Sequence, residues 1–147
     1  MRLAAADLTR VGPLPPAAKL ALALEIVASY ARVRRSLGRT GLRETLAELR
    51  AGGPAAGAGG SAVTSPVPGA RRLGRVVRQT LALLPGDTRC LAQSLVLTRL
   101  LAARGLDSRL VIGVVPGERF AAHAWLEHDG APLLPPGGGE FQELVKL

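Results

Sequence analysis

The sequence predicts an α+β protein in which helices come first and a small antiparallel sheet comes last. Two observations carry this prediction. Apolar residues recur at helical spacing up to about residue 104, and the pattern becomes β-branched and strand-like from Ser108 onward. Asp129-Gly130 then separates two strand-like runs, which is the strongest short signal for a β-hairpin. We therefore expect helices that pack on a three-stranded antiparallel meander.

The first half of the chain predicts two helices. Residues 15–36 form the first, with Pro15 and Pro16 in its opening turn and one apolar side made of Leu20, Leu24, Val27 and Ala31. Thr40 is placed to cap a second helix, whose apolar residues are Leu42, Leu46 and Leu49. Residues 1–50 are therefore interpreted as a helical N-terminal segment.

A linker and a compact C-terminal unit follow. Residues 51–70 are rich in glycine, alanine and proline without an apolar period, which is typical of a flexible linker. The unit at residues 71–147 begins with an amphipathic helix, Arg71 to Leu84, which Pro85-Gly86 ends. Asp87 or Thr88 then caps a largely apolar helix that runs to about Arg104, with Gly105 as its C-terminal cap.

The period-two region predicts the strands. They are Ser108 to Val115, Arg119 to His128 and Ala131 to Leu134, and Pro132 favours an edge position for the third. The residues Glu140 to Leu144 are interpreted as a terminal turn or helix.

Composition limits the class of protein. The chain has 147 residues, of which 48% are apolar, a net charge of +8 and one cysteine. One cysteine cannot form an internal disulfide, which is typical of a reducing compartment. The start of the chain shows no secretory signal and no apolar run is long enough to cross a bilayer. We therefore expect a cytoplasmic protein without a membrane span.

The basic residues are densest directly after the linker, at Arg71, Arg72, Arg75 and Arg78. Their plain interpretation is a solvated helix face, and the functional alternative is a surface for an acidic peptide or nucleic acid. No aromatic residues that could stack on bases interleave with them, so the sequence argues against nucleic acid.

Cys90 and His123 are the candidate catalytic pair. Composition alone favours a buried, inert thiol. However, Cys90 lies where a helix begins, and a helix start lowers the pKa of a thiol. His123 lies in a following strand, so the two supply the parts of a cysteine nucleophile and its base. One cysteine and two histidines on adjacent segments do not form a usual ligand set, so neither a metal nor another cofactor is expected.

Three segments together resemble a known family. They are Cys90-Leu-Ala-Gln-Ser-Leu95, the run from Gly105 to Gly113, and Phe120-Ala-Ala-His-Ala-Trp-Leu-Glu127. In this order and spacing they look like the stand-alone protease of lasso peptide biosynthesis. That family belongs to the transglutaminase-like, papain-related cysteine enzymes, and the resemblance covers roughly residues 71–147.

The resemblance implies an activity and its partners. The enzyme would remove the leader from a ribosomally made precursor peptide, with Cys90 as nucleophile and His123 as base. A small leader-recognition protein would deliver the precursor, and a separate cyclase would close the ring. The rival interpretations are a peptidase or acyl-transfer enzyme of another peptide-modification pathway, and a transglutaminase-like interaction module without turnover.

The residue that orients His123 is not evident. The family places an acid on the next strand, and the hairpin register puts residue 136 opposite His123, where this chain has Pro135-Pro136. Asp129 and Glu127 lie roughly 20 Å and 13 Å from His123 along an extended strand. Glu140 is the best acidic candidate, because Gly137-Gly138-Gly139 lets it fold back, and a backbone carbonyl is the alternative.

The remaining polar and aromatic residues nearby are not assigned to catalysis. We expect His128, beside the hairpin tip, to carry an exposed, neutral imidazole. We expect packing roles for Ser94, Trp125, Phe120 and Phe141.

Overall fold

The computed structural model describes residues 14–52, 67–86, 89–115, 121–135 and 141–147. Within these ranges it has helices α1 (Pro16–Leu37), α2 (Leu42–Ala51), α3 (Val67–Leu81) and α4 (Cys90–Ala102). The strands are β1 (Arg109–Val115), β2 (Ala121–His128), β3 (Ala131–Pro132) and β4 (Gln142–Lys146). The chain is thus a mixed α+β protein with its helices before its sheet.

Helix α4 is the centre of the fold. It contacts α1, α2 and α3 as well as strands β1 and β2. Its side chains are apolar around most of the helix, which suits a helix that is covered on several sides. The seven residues from Ser94 to Leu101 other than Arg99 are all buried. These contacts join the N-terminal helices and the sheet into one continuous core, in which Leu22 and Leu134 both take part.

Helix α1 turns the opposite side to the core from the one that the sequence pattern indicated. Leu20 and Leu24 are each 62% exposed, whereas the side that packs on α4 carries Leu22, Ile26 and Val33. Both sides are apolar, so periodicity alone did not distinguish them. The core side continues along the whole helix through Tyr30 and Val33, whereas the exposed side ends in arginines.

The sheet is antiparallel with the strand order β3-β2-β1-β4. Asp129 and Gly130 have φ values of 50° and 73°, as a tight hairpin turn requires, and β3 lies at an edge. These predictions are confirmed. The predicted terminal turn or helix at residues 140–144 is wrong, because residues 142–146 form β4 and pair with the free edge of β1. Glu140 and Phe120 lie outside the described residues.

Among the described residues, no side chain caps the start of helix α4. Its N-cap residue is Arg89, whose side chain makes no capping hydrogen bond. The sequence predicted a cap at Asp87 or Thr88, two residues that lie outside the described part of the chain. Gly105 follows the helix with a φ of 73°, the left-handed conformation that a C-terminal glycine supplies. Among the described residues, no helix combines the length and the apolar character needed to cross a membrane.

Candidate active site

Cys90 is the first residue of α4, and its side chain is half-buried against the core. The amide of Gln93 donates to the carbonyl of Arg89, which is the first hydrogen bond of the helix. The amides before Gln93 have no acceptor one turn earlier within the helix. The start of α4 therefore offers backbone donors beside the thiol, and such donors stabilise an anion.

Helix α1 supports the turn that leads to Cys90. Gly86 has a φ of 104°, and a Cβ on it would lie 2.9 Å from a guanidinium nitrogen of Arg34 and 3.2 Å from the hydroxyl oxygen of Tyr30. The backbone angle favours glycine at this turn, because other residues rarely adopt a positive φ. Side chains of α1 therefore lie beside the chain four residues before Cys90.

His123 lies in β2, where its backbone pairs with Gly113 of β1. Its imidazole packs against Trp125, with ring centroids 6.1 Å apart, and against Phe141, at 5.3 Å. A Cβ on Gly113 would lie 2.9 Å from the Trp125 ring and 3.0 Å from Phe141 Cβ. The absence of a side chain at Gly113 therefore gives the aromatic rings their place beside the histidine. A glycine within a strand pattern was the available signal for this close approach.

The His123 imidazole is held by a backbone carbonyl. Its Nε2 lies 2.8 Å from the carbonyl oxygen of Pro135. A carbonyl can only accept, so Nε2 carries the proton and the neutral ring has its lone pair on Nδ1. This is the kind of contact that is expected if a backbone carbonyl orients His123 in place of an acidic side chain. Glu140 as the third residue stays a prediction.

Helix α3 contacts the chain that follows the hairpin. Arg71 Nε donates to the Pro132 carbonyl at 3.3 Å, and a Cβ on Gly74 would lie 2.7 Å from the Leu133 carbonyl. Pro132 and Leu133 therefore lie against the first half of α3. A direct approach of the Cys90 thiol to the imidazole stays a prediction.

A polar network fixes Trp125 from its other side. The indole Nε1 donates to Glu127 Oε1 at 3.1 Å, and Lys146 Nζ lies 3.0 Å from Glu127 Oε2. Burial by itself would raise the pKa of Glu127, but the hydrogen bonds from Lys146 and Trp125 outweigh it and hold that pKa below its ordinary value. Glu127 thus supports the residue that packs on His123.

The second histidine is placed differently from its prediction. His128 is buried, with 6% of its surface exposed, whereas the sequence predicted an exposed ring. The two-residue alternation turns its side chain inward although the hairpin turn follows at once. Its Nδ1 donates to the Asp107 carbonyl at 2.5 Å, and Asp129 Oδ2 lies 3.6 Å from Nε2.

Ser94, one turn after Cys90, is fully buried, and its hydroxyl oxygen has no hydrogen-bond partner among the described residues. No group of three or more His, Cys, Asp or Glu side chains in the described ranges could hold a metal ion.

These features define an α+β domain with a cysteine at the start of its central helix and a histidine on the sheet. The sequence model of the transglutaminase-like superfamily matches residues 20–146. The chain belongs to that superfamily. The match includes α1 and α2, which precede residues 71–147, the unit for which the sequence predicted a peptidase. No curated protein and no solved structure matches the chain.

Proposed function

We propose that the protein is a cysteine peptidase that removes the leader from a ribosomally synthesised precursor peptide during lasso peptide maturation. It works with a separate leader-recognition protein and a cyclase, in the cytoplasm and without a cofactor. The observation that carries the proposal is the anchored imidazole of His123. Its Nε2 is engaged by Pro135, so its Nδ1 is the basic atom, and Cys90 begins the helix that follows α3.

The chemistry follows from these two residues. Nδ1 of His123 takes the thiol proton, and the Cys90 sulfur attacks the scissile carbonyl carbon to form a tetrahedral oxyanion. Amides at the start of α4 are the candidate donors to that oxyanion, each typically worth about 3 kcal/mol in the barrier. The C–N bond then breaks, and the leaving amine takes the proton from Nδ1. Water, deprotonated by the same nitrogen, hydrolyses the thioester and regenerates the thiol.

Replacement of the nucleophile tests the proposal. Purified Cys90→Ala protein, the precursor peptide and the leader-recognition protein are incubated together, and the products are measured by mass spectrometry. We expect the free leader with wild-type protein and none with Cys90→Ala. Ser94→Ala is the matched control, because it removes one side-chain oxygen from the same helix one turn away; it should retain cleavage. Equal processing by wild type and Cys90→Ala would contradict the proposal.

A second candidate is an interaction module of the same superfamily without turnover. It is favoured by the prolines at positions 135 and 136, which stand where the resemblance expects an acidic side chain. This candidate predicts that Cys90→Ala leaves precursor binding and maturation by the other proteins unchanged.

An acyl-transfer enzyme predicts instead a leader whose new C-terminus is joined to an added amine.

A further inference from the structure

Three exposed arginines form a ridge along α3. Arg71, Arg75 and Arg78 are four and three residues apart, so they lie on one side of the helix. Among the described residues, neither Arg75 nor Arg78 takes part in an ion pair or a hydrogen bond with a carboxylate. We refer to Arg71, Arg75 and Arg78 as the arginine ridge.

The ridge borders the segment that anchors His123. Arg71 donates to the Pro132 carbonyl, and the neighbouring Gly74 lies directly against the Leu133 carbonyl. From Arg71 to Arg78 the helix rises by about 10 Å. The start of the ridge, at Arg71, thus lies beside Pro132, three residues before the Pro135 carbonyl that holds the imidazole.

The side chains of the arginine ridge favour an acidic peptide over other anions. Guanidinium groups bind carboxylates through two parallel hydrogen bonds, and the spacing of the ridge suits side chains of an extended chain. The whole protein carries a net charge of +8, which adds a long-range attraction for an acidic segment. The chain has two phenylalanines, one tyrosine and one tryptophan, and none lies within the ridge, so bases have no stacking partner there.

We propose that the arginine ridge binds an acidic segment of the peptide substrate beside the edge of the sheet and directs the scissile bond to Cys90 and His123. This inference rests on the proposed function, because it takes the bound peptide to be the substrate. Binding is measured without catalysis, so the binding site and the proposed function can fail separately.

The experiment measures binding to the full-length Cys90→Ala protein by fluorescence anisotropy. The probes are a fluorescein-labelled glutamate-rich peptide, its twin with glutamine at every glutamate position, and a single-stranded oligonucleotide of similar length and charge. We expect the glutamate peptide to bind most tightly. In the Arg75→Gln/Arg78→Gln variant its affinity should fall roughly five- to tenfold, since exposed ion pairs contribute modestly. Raised salt should remove most of the difference.

Arg39→Gln/Arg43→Gln is the matched control. These two exposed arginines lie at the α1–α2 turn and in α2, and their replacement changes the net charge by the same amount. This control variant should bind the glutamate peptide within about twofold of the unsubstituted ridge, because salt screens long-range charge effects. An equal loss in both double variants, equal binding of the glutamine twin, or tighter binding of the oligonucleotide would each overturn the proposal.

Turnover separates the two proposals. If the wild type cleaves its precursor with no dependence on Arg75 and Arg78, the ridge inference fails and the proposed function stands. If the ridge binds the glutamate peptide while no cleavage occurs, the proposed function fails and the acidic-segment site remains.

Discussion

The two histidines of β2 lie five residues apart, and each is bonded to a backbone carbonyl, yet the structure uses them differently. His123 donates through Nε2 to Pro135, and its ring is half-exposed between two aromatic side chains. His128 donates through Nδ1 to Asp107, and its ring is buried. The two carbonyls engage opposite ring nitrogens, which leaves Nδ1 of His123 and Nε2 of His128 for other contacts.

The difference teaches what makes a histidine a usable base. A fixed ring orientation is necessary, and both rings have it. Access is the second requirement, and only His123 meets it, because Nε2 of His128 is buried. A nitrogen that a substrate cannot approach contributes to folding rather than to proton transfer.

The largest expected effect comes from His123→Ala. Loss of a general base lowers kcat/KM by about 10²- to 10⁴-fold. The thermal midpoint should stay close to that of wild type, because the ring is half-exposed. Cleavage of the precursor peptide and differential scanning fluorimetry measure the two quantities. A variant that unfolds but retains cleavage per folded molecule would reverse the roles assigned to the two histidines.

His128→Ala should show the opposite pattern. The substitution leaves the Asp107 carbonyl without its buried donor and opens a cavity, which together cost about 2 to 4 kcal/mol of unfolding free energy. Cleavage per folded molecule should be retained. Urea denaturation measures the loss, and His128→Asn is the control, since its amide nitrogen occupies the position of Nδ1 and keeps a donor in reach of the same carbonyl. Equal stability of His128→Ala and wild type, or an equal loss in His128→Asn, would contradict a structural role for the Nδ1 hydrogen bond.

Much of this contrast was not visible in the sequence. The order of helices and strands up to the hairpin, the Asp129-Gly130 turn and the glycine at position 105 after α4 were predicted correctly, because each depends on residues that are close together in the chain. The acceptor for His123 was harder to find. It is a main-chain oxygen, which leaves no mark in the amino-acid pattern, and only the path of the chain after the hairpin brings it to the ring.

The same reason explains the other differences. Strand β4 exists because β1 has a free edge to pair with, a contact between segments about thirty residues apart. His128 was expected to be exposed because a turn follows it, but alternation within β2 decides its direction. On α1, two apolar sides were available, and the packing of α4 selected the one with Ile26 and Val33. In each case tertiary contacts decided between alternatives that were locally equivalent.

Gly113→Ala should affect His123 through its neighbours. The added Cβ would lie 2.9 Å from the Trp125 ring, so the indole must shift and the imidazole that packs on it loses its place. Overpacking of this kind costs about 1 to 3 kcal/mol. We expect a lower kcat with little change in KM, measured by steady-state cleavage.

Gly38→Ala is the control, because its Cβ meets only backbone oxygens at ordinary contact distances of 3.4 and 3.7 Å. A fall in kcat of equal size in Gly38→Ala would show that the effect is not local to His123.

The smallest effect concerns Glu127, which reaches His123 only through Trp125. Hydrogen bonds from Lys146 and Trp125 hold the pKa of Glu127 below its ordinary value of 4.5 despite burial. Because the pKa is lowered in the folded state, Glu127 stabilises the protein above 4.5, and this contribution is lost as the pH falls through the folded pKa. Glu127→Gln should therefore lower stability near neutral pH and converge with wild type in acid.

Urea denaturation of both proteins across the acid range measures this difference. Glu143→Gln is the control, since Glu143 lies farther from Lys146, at 3.7 Å, and is half-exposed. If the two stability profiles stay parallel into acid, the Trp125–Glu127–Lys146 network does not depend on the charge of its carboxylate. The packing of Trp125 beside His123 would then depend on the space at Gly113 alone.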